Sequence, residues 1–279
     1  MIALIITIAA LVIGFIYFYF TQIVPGAIIW WSIPIIFLVA WLAGFLLLVI
    51  FFGCCTALQS KKQKITAPKP FFNWFIYHMT IFLRGFYNMK VIVEGKELIP
   101  DKKDILIVSN HQSNLDPLMI ISAFKGKPVT FIMKNNIMKV PIVGTWLYVS
   151  GFLPLDRSNN RKAMEVIDQA IERLQSGFSL AVYPEGTRSK GPDMNRFRNG
   201  IFRLIEKAQV DTVVLAIDNF YKVRKRFPFC RTKVLIRVCE VLKYEDVKDM
   251  HTNEIGDRVQ KTIEDNLADA RSRYPWLRQ

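Results

Sequence analysis

No Asp, Glu, Lys, Arg or His occurs before Lys61, so the chain consists of two parts suited to different solvents. Residues 1–20 and 27–52 are apolar runs, and a helix crosses the hydrocarbon core of a bilayer with about 20 such residues. Pro25-Gly26 between them is a turn signal. A cleaved leader would need a basic start, which is missing here, and a second apolar run follows at once. The expectation is an N-terminal transmembrane helical hairpin over residues 1–60. Whether residues 1–20 cross fully or only enter the interface stays open. Lys61, Lys62, Lys64 and Lys69 follow the second run while the loop between the runs carries no charge. The positive-inside rule therefore puts the rest of the chain, and with two spans the N-terminus too, in the cytoplasm.

All of the formal +14 charge lies in residues 61–279, a length that fits one α/β domain. A surface this basic attracts nucleic acid or anionic lipid about equally, and the charge-free anchor decides for membrane phospholipid. Lys222, Arg224, Lys225, Arg226 and Arg231, interleaved with Tyr221, Phe227 and Phe229, could serve nucleic acid, but no nucleic-acid partner is expected. They fit anionic headgroups, the phosphates or acidic surface of a donor, or a solvated loop. Cys54, Cys55, Cys230 and Cys239 show no CxxC spacing, and a reducing cytoplasm disfavours disulfides. No metal-ligand spacing or cofactor fingerprint is present, so neither metal nor cofactor is expected.

Residues 61–89 read as a basic juxtamembrane segment and an aromatic helix, with Phe71, Phe72, Phe75, Met79, Phe82, Leu83 and Phe86 at helical spacing. This helix either lies in the bilayer interface or docks on the following domain. Over 90–279 the runs 91–93, 105–109, 129–133, 152–155, 180–183, 213–217 and 234–238 read as strands. Ala163, Val166, Ile167, Ala170, Ile171 and Leu174 form a helical stripe, capped by Ser158 or Asn159 and closed by Gly177. Ile255, Val259, Ile263 and Leu267 mark a last amphipathic helix. The alternation predicts a mostly parallel central sheet flanked by helices.

Of the three histidines, His78 belongs to the aromatic helix and His251 sits in a charged stretch near a helix start. His111 follows the apolar run 105–108, and the carboxyl ends of strands in open α/β sheets are where ligands usually bind. Asp116, before Pro117, has two readings. It caps the next helix, or the turn through Gln112 to Leu115 folds back so that Asp116 orients the imidazole of a general base. A second strand exit offers Glu185, Gly186, Thr187 and Arg188. Arg188 can grip a phosphate bidentately and Gly186 lets backbone approach; a plain surface turn with an ion pair is the competing reading. Arg157 stands at a third exit, after Gly151-Phe152.

Asn110-His111-(x4)-Asp116, Gly151-Phe152-(x4)-Arg157 and Pro184-Glu185-Gly186-Thr187-Arg188-Ser189, in this order and spacing, resemble the motifs of glycerolipid acyltransferases of the lysophosphatidate acyltransferase type. The resemblance covers roughly residues 75 to 245. It implies transfer of a fatty acyl group from an acyl thioester, acyl-CoA or acyl-carrier protein, to a lysophospholipid hydroxyl. It also implies that His111 is the base, that Asp116 is its partner, and that Arg157 with the Glu185–Arg188 loop binds glycerol phosphate, Glu185 meeting a glycerol hydroxyl. No GxSxG elbow and no Cys/His pair is present, which favours direct attack by the acceptor over an acyl-enzyme. The chain departs from the family in lacking prolines at 213–217 and in having Tyr183 where Phe is common. Another lysophospholipid or glycerol 3-phosphate as acceptor, and a lipid-binding membrane protein without turnover, are the alternatives.

Overall fold

The computed structural model describes residues 2–23, 32–59, 65–155 and 160–278. It divides into two compact units, Met1–Ser60 and Lys61–Gln279.

The first unit holds α1 (Ile2–Ile23) and α2 (Ser32–Ala57), which pack against each other. At 1.5 Å rise per residue, a helix of about 22–26 residues is roughly 33–39 Å long, enough to cross a membrane's hydrocarbon core. Among the described residues Pro34–Ala57 combines that length with a mean hydropathy of 3.0, and Thr7–Ile16 is a shorter apolar stretch within α1. Phe15 and Leu47 are 69% and 67% exposed, an outward apolar surface that suits hydrocarbon better than water. The expected turn at Pro25-Gly26 and the lysines at 61, 62 and 64 lie outside the described residues.

The second unit runs α3 (Pro70–Phe86), β1 (Met89–Glu94), β2 (Leu106–Ser109), α4 (Asp116–Ala123), β3 (Val129–Lys134), α5 (Asn135–Met138), α6 (Val143–Val149), β4 (Leu153–Leu155) and α7 (Asn160–Gln175). It continues through β5 (Ser179–Val182), α8 (Arg203–Ala208), β6 (Thr212–Asp218), α9 (Val223–Arg226), β7 (Thr232–Leu242), α10 (Tyr244–Val247), α11 (Thr252–Arg273) and α12 (Pro275–Arg278). The seven strands form one sheet in the order β1-β7-β6-β2-β5-β3-β4, and every neighbouring pair is parallel except β6 and β7. β7 runs antiparallel to β6, and residues 219–231 with the one-turn α9 connect the two strands at one end of the sheet. It also runs longer than the expected 234–238, since β1 pairs with Thr232–Arg237 and β6 with Leu235–Leu242.

Both faces of the sheet are covered, and the strands divide between them with period two. Ile107, Val213, Leu215 and Ile217 join the core beneath α3 and α4, with Met119, Ile120 and Phe124. Leu106, Val108, Val214 and Ala216 join the opposite core, with Val166, Ala170 and Leu174 of α7 and Val259, Ile263 and Leu267 of α11. Among the described residues the predicted helical stripes are thus the buried or part-buried ones, with Ile167 and Ile171 packed against the same core. The expected caps Ser158 and Asn159 fall outside the described residues.

The two readings of the aromatic helix are compatible. α3 buries Phe72, Ile76 and Thr80 and docks on α4 and β1, with Trp146 of α6 stacked edge-on at 5.0 Å from Phe72 and 4.5 Å from Phe75. Its other side leaves Trp74, Phe82 and Phe86 between 45% and 54% exposed.

Gly151 turns the chain into β4 at φ +95°, and a Cβ there would lie 2.6 Å from a ring carbon of the fully buried Phe178. Gly151→Ala is therefore expected to cost about 2 kcal/mol or more through overpacking and strain. That corresponds to a drop of roughly 4–8 °C in the unfolding midpoint of the solubilised protein, measurable by differential scanning fluorimetry.

Candidate active site

β2 lies between β5 and β6 and is parallel to both, so all three strands exit along one edge of the sheet. His111 follows the end of β2 and Tyr183-Pro184-Glu185 follows the end of β5. The turn after β2 folds back on itself. Nδ1 of His111 is 2.8 Å from Oδ2 of Asp116, and the same oxygen accepts the backbone N–H groups of Gln112 at 2.7 Å and Ser113 at 2.8 Å. Leu115 occupies the N-cap position of α4 without a side-chain capping bond, while the Asp116 carboxylate points backward into the turn. Asp116 is fully buried and the His111 side chain is 16% exposed.

Glu185 fastens this turn to the loop after β5. Its Oε1 accepts the backbone N–H of His111 at 2.6 Å, and its Oε2 accepts both the backbone N–H and the side-chain amide of Asn195 at 2.8 Å. Further along, the Ser189 N–H donates to the His111 carbonyl at 2.8 Å. Glu185 is 2% exposed, and both its oxygens are engaged by protein donors. The imidazole is also held by stacking: its ring lies 4.0 Å from that of Tyr183 at 12°, and Tyr183 stacks in turn on Phe131.

Burial pushes the Asp116 carboxyl up from its ordinary value, against the lowering effect of His111 and the two backbone donors. Burial likewise raises Glu185, opposed chiefly by Asn195 and His111. The Tyr183 hydroxyl is driven well above its usual range by burial, with Asp116 adding to it. Asp116 Oδ1 and the Tyr183 hydroxyl are buried with no hydrogen-bond partner among the described residues.

Of the residues read from the sequence, His111, Asp116 and Glu185 come together. Gly186 takes φ +70° and packs on the exposed Arg198, whose Nε would be 3.1 Å from a Cβ at Gly186. Thr187 is exposed. Arg188 is half-buried, directly precedes the residue bonded to the His111 carbonyl, and has no hydrogen bond or ion pair among the described residues. Arg157 lies outside the described residues; β4, the strand before it, runs parallel to β3. His78 and His251 are elsewhere, on α3 and before α11.

Sequence reading missed the support beneath the turn. Asn110 exchanges two hydrogen bonds with the Ile217 backbone of β6, at 2.8 and 2.9 Å. Gln112 donates to Asp218 at 3.0 Å and accepts the Phe220 N–H at 3.1 Å, while Arg271 of α11 holds the other Asp218 oxygen at 2.7 Å. Asn195, Asp218 and Arg271 carry no spacing signal that would join them to His111. Asn110 and Gln112 flank it and were the legible part.

Residues 90–218 match the family model described as Acyltransferase. A protein named 1-acyl-sn-glycerol-3-phosphate acyltransferase from Borreliella burgdorferi is 29% identical over 185 residues, 63% of this chain and 73% of its own length. A chloroplastic protein of the same name from Arabidopsis thaliana is 34% identical over 153 residues, 54% of this chain and 42% of its own length. The chain thus spans under half of that plant relative. The crystal structure of a 1-acyl-sn-glycerophosphate acyltransferase from Thermotoga maritima superposes with a TM-score of 0.62 at 23% identity, covering 72% of this chain and 80% of that one. It shares the fold.

Because an amide cannot accept on both sides, Glu185→Gln sets an NH₂ against one protein donor. The expected cost is about 1–3 kcal/mol, and the backbone amides of His111 and Asn195 exchange with deuterium roughly tenfold faster or more. Unchanged exchange at both amides would show that Glu185 does not join the loops.

Proposed function

From the Acyltransferase match over residues 90–218 and the shared name of the relatives, we propose that the chain is a lysophosphatidate acyltransferase, moving a fatty acyl group from an acyl thioester to the sn-2 hydroxyl of lysophosphatidate and giving phosphatidate in phospholipid synthesis. The observation that carries this reading is the His111–Asp116 contact at 2.8 Å, at a sheet edge where the following loop brings arginines.

In this reading Asp116 fixes the imidazole with Nδ1–H donating to it, which leaves Nε2 as the base. Nε2 takes the proton of the acceptor hydroxyl as that oxygen attacks the thioester carbonyl. The tetrahedral intermediate collapses, the C–S bond breaks, and the thiolate leaves with the proton returned by the imidazolium. No acyl-enzyme is needed. The acceptor is an anion, and Arg188, without a protein partner among the described residues, is the group to bind its phosphate, with Arg157 assisting and Gly186 and Thr187 shaping the loop. Glu185 acts as a positioning residue, since its two oxygens already hold His111 and Asn195. The donor is acyl-CoA or acyl-carrier protein, used as co-substrate without a further cofactor.

The apolar unit anchors the protein in the membrane. The lysines after it support a catalytic domain on the cytoplasmic side, where both lipid acceptor and thioester donor are within reach.

His111→Ala is expected to lower turnover of lysophosphatidate by about 10²–10⁴ with the fold retained by circular dichroism; wild-type turnover in that variant excludes the proposed base. Arg188→Lys keeps the charge but loses the bidentate fork, so KM for lysophosphatidate should rise about tenfold while KM for the thioester stays nearly constant. A panel of acceptors compared by kcat/KM separates lysophosphatidate from glycerol 3-phosphate and other lysophospholipids.

A further inference from the structure

Apart from Phe220, whose N–H supports Gln112, residues 219–231 carry none of the side chains assigned to the site, yet they leave the sheet at the end that carries His111. Gln112 ties the start of this segment down through Phe220 and Asp218, at 3.1 and 3.0 Å. From Asn219 to Cys239 the chain contains no acid, while Lys222, Arg224, Lys225, Arg226 and Arg231 lie within it. Arg224, Lys225 and Arg231 are exposed. Beside them Phe229 is 92% exposed, an arrangement that costs free energy in water because almost the whole ring stays hydrated.

The segment is also joined to the outward face of α3. Phe227 packs 5.1 Å from the rings of both Phe86 and Tyr87, and Phe86 continues into Phe82, 6.3 Å away and stacked. Phe82 and Phe86 are 49% and 54% exposed. One surface therefore runs from an apolar helix face, through an aromatic joint, to a loop with a bare phenylalanine and a ring of cations. Aromatic and apolar groups bordered by Lys and Arg are the composition of a surface that lies in a headgroup layer.

We propose that the 221–231 loop and the outer face of α3 form a second membrane contact specific for anionic phospholipid. Phe229 enters the interface, and Arg224, Lys225 and Arg231 meet the lipid phosphates. The contact rests on the reading that this domain works at a bilayer, and it would turn the sheet edge bearing His111 toward the layer that supplies the acceptor. An acidic carrier protein would match the cations but leave the phenylalanine and the α3 face without a role; hydrocarbon uses both.

Cys230, exposed beside Phe229, provides the probe site. Burial pushes the Cys239 thiol up to about 12, so the full chain with Cys54→Ser, Cys55→Ser and Cys239→Ala takes an environment-sensitive dye at Cys230 alone. The labelled protein is reconstituted in nanodiscs of phosphatidylcholine alone or with added phosphatidylglycerol. The expected result is a blue-shifted dye that brominated acyl chains quench in the anionic discs and much less in the neutral ones. Each neutralised cation should lower the equilibrium constant for seating about fivefold, so Arg224→Glu with Lys225→Glu should return the dye to water, and Phe229→Ser should weaken quenching. A dye that stays in water on both discs, seating indifferent to charge reversal, or shielding that appears only on addition of acyl-carrier protein would each overturn the proposal. Turnover of lysophosphatidate in the same discs reads the acyltransferase assignment separately, because dye position does not depend on catalysis.

Discussion

Two buried carboxylates hold the site together by accepting hydrogen bonds from backbone N–H groups. An ion of this kind loses several kcal/mol of hydration on burial, and backbone donors offset that loss only when the turn presenting them has one shape. Asp116 collects Gln112, Ser113 and the His111 ring on one oxygen, and Glu185 collects His111 and Asn195 on two. The loops fold as they do because any other shape would leave a buried charge without partners. The imidazole is thus placed by its neighbours' electrostatics, with Tyr183 stacked against its face.

The parallel sheet makes these donors available. Where β2, β5 and β6 end together, the ladder stops and backbone groups of the exiting turns are free to bind something else. Side chains take over from the ladder: Asn110 pairs with β6 through Ile217, and Gln112, Asp218 and Arg271 carry the connection on to α11. Two apolar layers, one on each face, fix the strands to which these turns are attached. Rigidity at the exits follows from burial in the layers.

Much of this was legible in the residues. The seven strand runs, the stripes of α7 and α11 and the division at residue 60 follow from periodicity and charge, which depend on local sequence and solvent alone. His111 was identifiable by its place after an apolar strand. Asp116 was ambiguous, since Asp before Pro117 fits a helix cap equally well, and the direction of its carboxylate depends on which donors the folded turn offers. Glu185, which the family resemblance gave to a glycerol hydroxyl, has both oxygens engaged by the His111 N–H and Asn195, partners that only the folded loops bring to it. The antiparallel return of β7 left no mark either, because strand direction is decided by the connection and its partners.

The sequence by itself determined that this chain has an uncharged apolar part and a basic α/β domain, and that three polar clusters follow three strand exits. Those properties are set by hydropathy and period, which act over a few residues. Only the tertiary structure decided which polar groups face one another. Asp116 turned from a helix start to an imidazole, Glu185 became a clasp between two loops, and Phe227 linked a basic loop to α3, because hydrogen bonds and ring contacts between distant residues form only once the sheet has set their separation.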